Sequence, residues 1–314
     1  MIAVLTGGTG GAKFVQGLRQ IVPPQQVAYI VNTGDDLRWW GLHVSPDVDS
    51  ILYALAGRLS RERGWGVEAD TFECLEIMWQ LGQPSWFQLG DRDLATHLLR
   101  TQLLSEGSTL AKANADIALR FGIESQVLVM SNERVETRVQ TPSAELSFQE
   151  YFVRERYAVE VRGVRFDGAE QAKPAPGVIE SIMVAEKIIL APSNPVTSIG
   201  PILAVPGIRQ ALQQTPAAIA AISPIIGEAA VSGPAAALMK TQGWPVSIVG
   251  IAQAYRDFLD LLVCDVEDAN CKREVEQLGI AVTCTRTLMR DDSDKQALAR
   301  ATLEAMEIAH ATAT

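Results

Sequence analysis

The chain opens on "MIAVLTGGTGGAKFVQGLRQIVPPQQVAYIV", and this stretch limits its architecture more than any other. The run "IAVLT" (2–6) reads as a buried strand, and a glycine-rich turn follows it. "AKFVQGLRQIV" (12–22) then has helical spacing and stops at Pro23-Pro24, before "VAYIV" (27–31) forms a second strand. Such a β-loop-α-β unit opens a doubly wound parallel sheet, and ligands of these sheets bind beyond the carboxyl ends of the strands.

The rest of the chain continues that plan with an interruption. "DSILYALAGRLSRE" (49–62) predicts a helix capped by Ser45, Asp47 or Asp49. From about residue 60 to 125 the pattern is helical, and "VLVMS" through "YAVEVRGVRF" (127–166) alternates like a small antiparallel β-region. Buried-strand patterning returns at 187–195, 216–227, 245–252 and 260–266, and an amphipathic helix closes the chain over 294–309. The expected fold class is therefore α/β: a Rossmann-like doubly wound parallel sheet with an inserted helical and small β subdomain. Residues 1–59 and 176–314 form the discontinuous nucleotide-binding core, and residues 60–175 form the inserted substrate subdomain.

Composition removes several function classes. The 314 residues carry a formal charge of −10, which opposes non-specific nucleic-acid binding. No apolar run approaches the roughly 20 residues of a membrane span, and the amino terminus lacks the pattern of an export signal, so a cytoplasmic protein is expected. Cys74, Cys264, Cys271 and Cys284 are irregularly spaced, as are His43, His97 and His310, so neither a zinc site nor a disulfide framework is indicated.

The chemistry gathers in the predicted loops. The opening turn matches neither a Walker A motif, because Ala12 and Phe14 stand where Gly and Ser/Thr belong, nor the dinucleotide fingerprint, because Lys13 stands where its last Gly belongs. Gly7, Gly8, Thr9 and Gly10 nevertheless expose amides at a helix start, with Lys13 close by, which suits an anion. Acidic pairs recur at Asp35/Asp36, Asp47/Asp49 and Asp91/Asp93. Each pair alone can be a helix cap, but together beside a phosphate loop they suggest Mg²⁺, or a carboxylate general base. Arg92 offers a fork to a phosphate or ring edge, Ser193 and Asn194 offer hydrogen bonds at a strand end, and Trp39, Trp40 and Trp65 are stacking or core residues.

The blocks "GGTGGAK" (7–13), "NTGDD" (32–36), "SPDVDSILYALAG" (45–57), "GWG" (64–66), "DTF" (70–72), "LGDRDLATH" (89–97), "APSNPVTSIGPIL" (191–203), "SPIIG" (223–227) and "SGPAAALM" (232–239) resemble, in order, the 2-phospho-L-lactate transferases of coenzyme F-420 biosynthesis. The resemblance implies transfer of a phospho-acid (2-phospho-L-lactate, phosphoenolpyruvate or phosphoglycerate) from a guanosine diphospho-activated donor to the ribityl hydroxyl of the deazaflavin Fo, with release of GMP. It implies magnesium held by Asp47 and Asp49, a reacting centre at Asp49, Asp47 and Arg92, and a homodimer. The Gly loop, Lys13, Ser193 and Asn194 would face the donor, with Asn32, Asp35, Asp36 and Asp91 lining the same site. The rival readings are a sugar-nucleotide-binding regulatory protein of the same superfamily and a nicotinamide-dependent oxidoreductase, the latter weakened by the failed fingerprint.

Overall fold

The computed structural model describes residues 1–313, with side chains through Ala309, so the His310 side chain lies outside the described residues. Seven strands make one parallel sheet: β1 (Ile2–Thr6), β2 (Val27–Val31), β3 (Gln126–Val129), β4 (Lys187–Leu190), β5 (Ala218–Ile222), β6 (Leu261–Asp265) and β7 (Ala281–Thr285). Their order across the sheet is β3-β2-β1-β4-β5-β6-β7. β1 pairs with β2 from Ile2↔Val27 to Thr6↔Val31, and with β4 from Ile2↔Lys187 to Leu5↔Leu190. The expected Rossmann-like α/β architecture is present, and the chain reverses its direction of travel across the sheet between β1 and β4. That reversal opens a crevice at the carboxyl ends of these two strands. Covering helices explain why the central strands are continuous apolar runs rather than alternating ones: Ala3, Val4 and Leu5 are fully buried, as is all of β2.

Helix α1 (Gly8–Leu18) begins four residues earlier than its apolar spacing suggests, because the glycines themselves form its first turn. It packs between α2 (Pro46–Ala56) and the carboxyl-terminal helix Asp292–Ala313. Gly17 permits that second contact, since a Cβ there would lie 2.2 Å from the Lys295 carbonyl oxygen. α2 starts at Pro46, whose fixed φ and missing N–H suit a first helical position, and it stops at Gly57 with φ of 70°. Three further helices, α3 (Glu73–Gln80), α4 (Asp91–Ser105) and α5 (Leu110–Arg120), fill the expected helical stretch. Among the described residues no helix is long and apolar enough to cross a membrane.

Three local expectations are corrected. Residues 126–129 are not part of an antiparallel region; they are the edge strand β3, paired in parallel with β2, as their unbroken apolar run allows. The antiparallel region that follows is smaller, with strands at Glu136–Gln140, Glu145–Ser147 and Gly163–Asp167 and a π-helical turn at Glu150–Arg154. Residues 245–252, rich in Val and Ile, enter a helix, Ile248–Tyr255, instead of a strand. Its Gly250 backbone sits so close to the carbonyl of Pro245, in the turn that leads into this helix, that a Cβ would lie 2.0 Å from that oxygen. Strand β7 has no counterpart among the expected elements.

Candidate active site

Two turns meet at the crevice. β1 delivers Gly7–Gly10 and β4 delivers the segment that begins at Ala191. Ser193 fastens them together: its Oγ donates to the Gly7 carbonyl at 2.7 Å and accepts from the Gly7 amide at 3.2 Å. Only glycine fits this junction, because a Cβ on Gly10 would lie 2.1 Å from the Pro192 carbonyl oxygen and one on Gly7 would lie 2.4 Å from Asp47 Oδ2. The Gly8 amide donates to the Asp47 carboxylate. The Thr9 and Gly10 amides belong to the first turn of α1, where a helix offers its own N–H groups no acceptor, and the positive end of its dipole faces the same way.

The acidic turn after β2 closes the other side. Asn32 is its hub: Nδ2 donates to Asp47 Oδ2 at 2.8 Å, to Asp35 Oδ2 at 3.2 Å and to the Thr197 carbonyl at 3.1 Å, while Oδ1 accepts from the Gly34 amide at 2.7 Å. Asp35 and Asp47 thus sit on one amide group, both almost wholly buried. Burial pushes Asp47 up to about 6, against the bonds from Asn32 and Gly8 and with repulsion from Asp36. Burial also raises Asp35 well above the usual carboxylate range, and the Asp47 charge adds to it. Asp35 Oδ1 is buried and receives nothing from Asn32; the Thr137 hydroxyl faces the carboxylate and works against the rise. Asp36 faces a different set, accepting from Ser45 Oγ at 2.7 Å and lying 2.9 Å from His43 Nε2.

Asp47 and Asp49, expected to act together, point apart. Both lie in the first turn of α2, but residues two apart on a helix do not share a face. Asp49 turns toward α4, where the Arg100 guanidinium holds both of its oxygens, through Nη1 at 3.1 Å and through a short Nη2 contact. His97 Nδ1 lies 3.6 Å from Asp49 Oδ2, and His97 Nε2 lies 3.2 Å from Asp93 Oδ1. Tyr53 donates to Asp93 at 2.5 Å, and Arg100 Nε donates to Asn114 Oδ1 at 2.9 Å.

The remaining candidates divide between building the loops and facing outward. Asn194 shapes its own turn, accepting from the Val196 amide at 2.9 Å. Asp91 accepts from the Glu73 and Cys74 amides at 3.0 and 2.9 Å, so it caps α3, while Asp70 accepts from the Arg92 and Asp93 amides at 2.8 and 3.1 Å and caps α4. This exchange of caps accounts for the DTF and GDRD blocks. It leaves the Arg92 side chain exposed, with one N–H on the Glu68 carbonyl at 3.1 Å. Lys13 lines a side cavity with Ser60, Arg61, Gly64 and Lys295. Trp39 is core, edge-on to Trp86 at 4.7 Å, and Trp40 donates to the Pro84 carbonyl; Trp65 lies under the Arg63 guanidinium.

Sequence reasoning missed Arg100, His97 and Asp70. A signal for the first two was present: Asp93, Thr96, His97 and Arg100 fall at helical spacing and are the buried residues of α4, whereas Leu98 of the same helix is 57% exposed. A helix that buries charge and exposes leucine is holding a polar network.

Comparison with known proteins adds an independent line. Residues 2–305 match the family model described as 2-phospho-L-lactate transferase CofD. A 2-phospho-L-lactate transferase of Methanothermobacter thermautotrophicus is 43% identical over 300 residues, covering 96% of each chain. A phosphoenolpyruvate transferase of Streptomyces griseus is 42% identical over 312 residues, covering 98% of each chain. A solved structure of a UPF0052-family protein from Bacillus halodurans superposes with a TM-score of 0.67 at 18% identity, covering 96% of this chain and 99% of that one, and so shares the fold.

Proposed function

Because this chain belongs to the 2-phospho-L-lactate transferase family, we propose that it moves a phospho-acid from a guanosine diphospho-activated donor to the ribityl hydroxyl of Fo, releasing GMP. The observation that carries this reading is the Asp35–Asn32–Asp47 cluster set against the Gly7–Gly10 turn at the switch point of the sheet. The Thr9 and Gly10 amides receive the donor diphosphate, as the positive end of a helix receives any anion. Asp47, ionised at neutral pH with its proton affinity raised by burial, takes the hydroxyl proton as the oxygen attacks phosphorus. Arg92, exposed at the start of α4, supplies a movable guanidinium to the acceptor or to the phosphate charge.

Magnesium fits beside this pair. No group of three or more His, Cys, Asp or Glu side chains able to hold a metal occurs among the described residues, but magnesium needs only one or two carboxylates, completing its shell with water and substrate phosphate. Asp35 would hold it through Oδ1, the oxygen that Asn32 leaves free and that faces the Thr137 hydroxyl; when bound, the ion would neutralise charge on the diphosphate. Asp49 is taken by Arg100, so it supports the turn rather than binding metal. Assembly as a cytoplasmic homodimer belongs to the same reading. The test of the donor is GMP release from guanosine diphospho-activated phospholactate, phosphoenolpyruvate and phosphoglycerate, each with Fo. Release that depends on Fo supports the reading; release from none of the three overturns it.

A further inference from the structure

The polar network behind α2 is unlike an ordinary core contact. Arg100 is fully buried, Asp49 is 4% exposed, and the network continues through His97, Asp93 and Tyr53, while the Arg100 charge also acts on Asp36 of the acidic turn. Replacing a buried ion pair by apolar side chains is often neutral or stabilising, so stability alone is a poor reason to keep one. What the pair does do is fix geometry. A two-point guanidinium fork restrains both distance and rotation, and Asn114 holds the guanidinium from its other side. The residue it grips lies in the first turn of α2, whose other side carries Asp47 against the Gly8 amide and Asn32.

We propose that Arg100 is a positioning residue for the transfer reaction: by clamping Asp49 from behind, it fixes the first turn of α2 and so holds Asp47 on the Gly7–Gly8 turn. This inference rests on the reading of Asp47 as proton acceptor. α4 supports the clamp in a second way, because Thr101 Oγ1 accepts from the His43 amide at 2.8 Å and so ties the approach to α2 to the same helix. Loss of the clamp lets the turn rotate while the donor loop, held by Ser193, stays in place. Substrates then still bind, but the carboxylate misses its proton, and a displacement of about 1 Å at a reacting group costs on the order of 100-fold in rate.

The experiment compares wild type with Arg100→Lys and Arg100→Met by steady-state transfer and by the carbon-13 resonance of the Asp47 carboxyl. Arg100→Lys keeps the charge and loses the fork. It is expected to lower kcat by about 10- to 100-fold, leave KM for donor and acceptor within about 3-fold, and move the Asp47 resonance. Arg100→Met is expected to lower kcat further, and if it does not fold the lysine variant still decides. An unchanged kcat with an unmoved resonance overturns the proposal, as does a fall in activity that only tracks the folded fraction. If wild type transfers nothing to Fo, the functional reading fails on its own, and the resonance alone then decides the positioning: moved supports it, unmoved refutes it.

Discussion

Asp47→Asn is expected to make the protein more stable and inactive at once. The folded protein holds Asp47 at about 6 against an ordinary value of 3.8, mainly because burial penalises the charge. A carboxyl whose proton affinity is raised on folding stabilises the fold below about pH 4 and loses that contribution as pH rises through about 6. At roughly 1.4 kcal/mol per pH unit, the ionised group costs the fold about 3 kcal/mol at pH 7 relative to its protonated form. Asparagine keeps an oxygen to accept from Asn32 and from the Gly8 amide, and carries no charge. The assay is thermal unfolding of both proteins without magnesium at pH 7.5 and at pH 4.5. At pH 7.5 the variant is expected to melt several degrees higher, since about 1 kcal/mol moves the midpoint of a large domain by roughly 2–4 °C. At pH 4.5 the folded protein holds Asp47 protonated while the unfolded chain, titrating near 3.8, is still largely ionised, so the difference is expected to shrink to about 1 kcal/mol, roughly a third of its value at pH 7.5. A variant that is equally destabilised at both pH values refutes the assignment of a strained, buried acid at this position.

Gly10→Ala places a methyl 2.1 Å from the Pro192 carbonyl oxygen, a backbone atom that cannot step aside; calorimetry is expected to show a loss of about 1–3 kcal/mol, and titration a weaker affinity for GDP. Asp91→Ala removes the cap of α3, so denaturant unfolding is expected to show a loss of about 1 kcal/mol with kcat nearly unchanged. Hydrogen bonds, first from Thr71 and then from the Cys74 amide, hold the Asp91 carboxyl below its ordinary value, so its stabilisation is present above that value and fades as pH falls through the depressed one. Arg92→Ala is expected to leave the melting temperature within about 1 °C, as for other exposed sites, while KM for Fo rises.

The parts of the fold that the sequence made legible are those with strong periodicity. β1, β2 and the glycine turn between β1 and α1 are recognisable because unbroken apolar runs and clustered glycines leave few alternatives. Residues 245–252 and 126–129 misled for one reason: a short Val- and Ile-rich run has no periodicity of its own, and neighbours decide whether it becomes helix, edge strand or hairpin. At the site, residue types were readable and directions were not. Asp47 and Asp49 look like a pair on paper, yet a helical turn sends one to Gly8 and the other to Arg100, fifty-one residues further along the chain. The GDRD acids look like ligands, but Asp91 serves α3 as a cap, a role visible only once Asp70 and Asp91 are seen to exchange partners.

The central claim is that the acidic cluster and the glycine turn join a phospho-acid to Fo. Purified protein incubated with Fo, a guanosine diphospho-activated phospho-acid and magnesium, followed by mass measurement of the deazaflavin, tests it most directly. The expected result is Fo heavier by one phospho-acid unit with an equal amount of GMP. Unmodified Fo, alongside tight binding of a UDP-sugar, would contradict it and favour the regulatory protein instead.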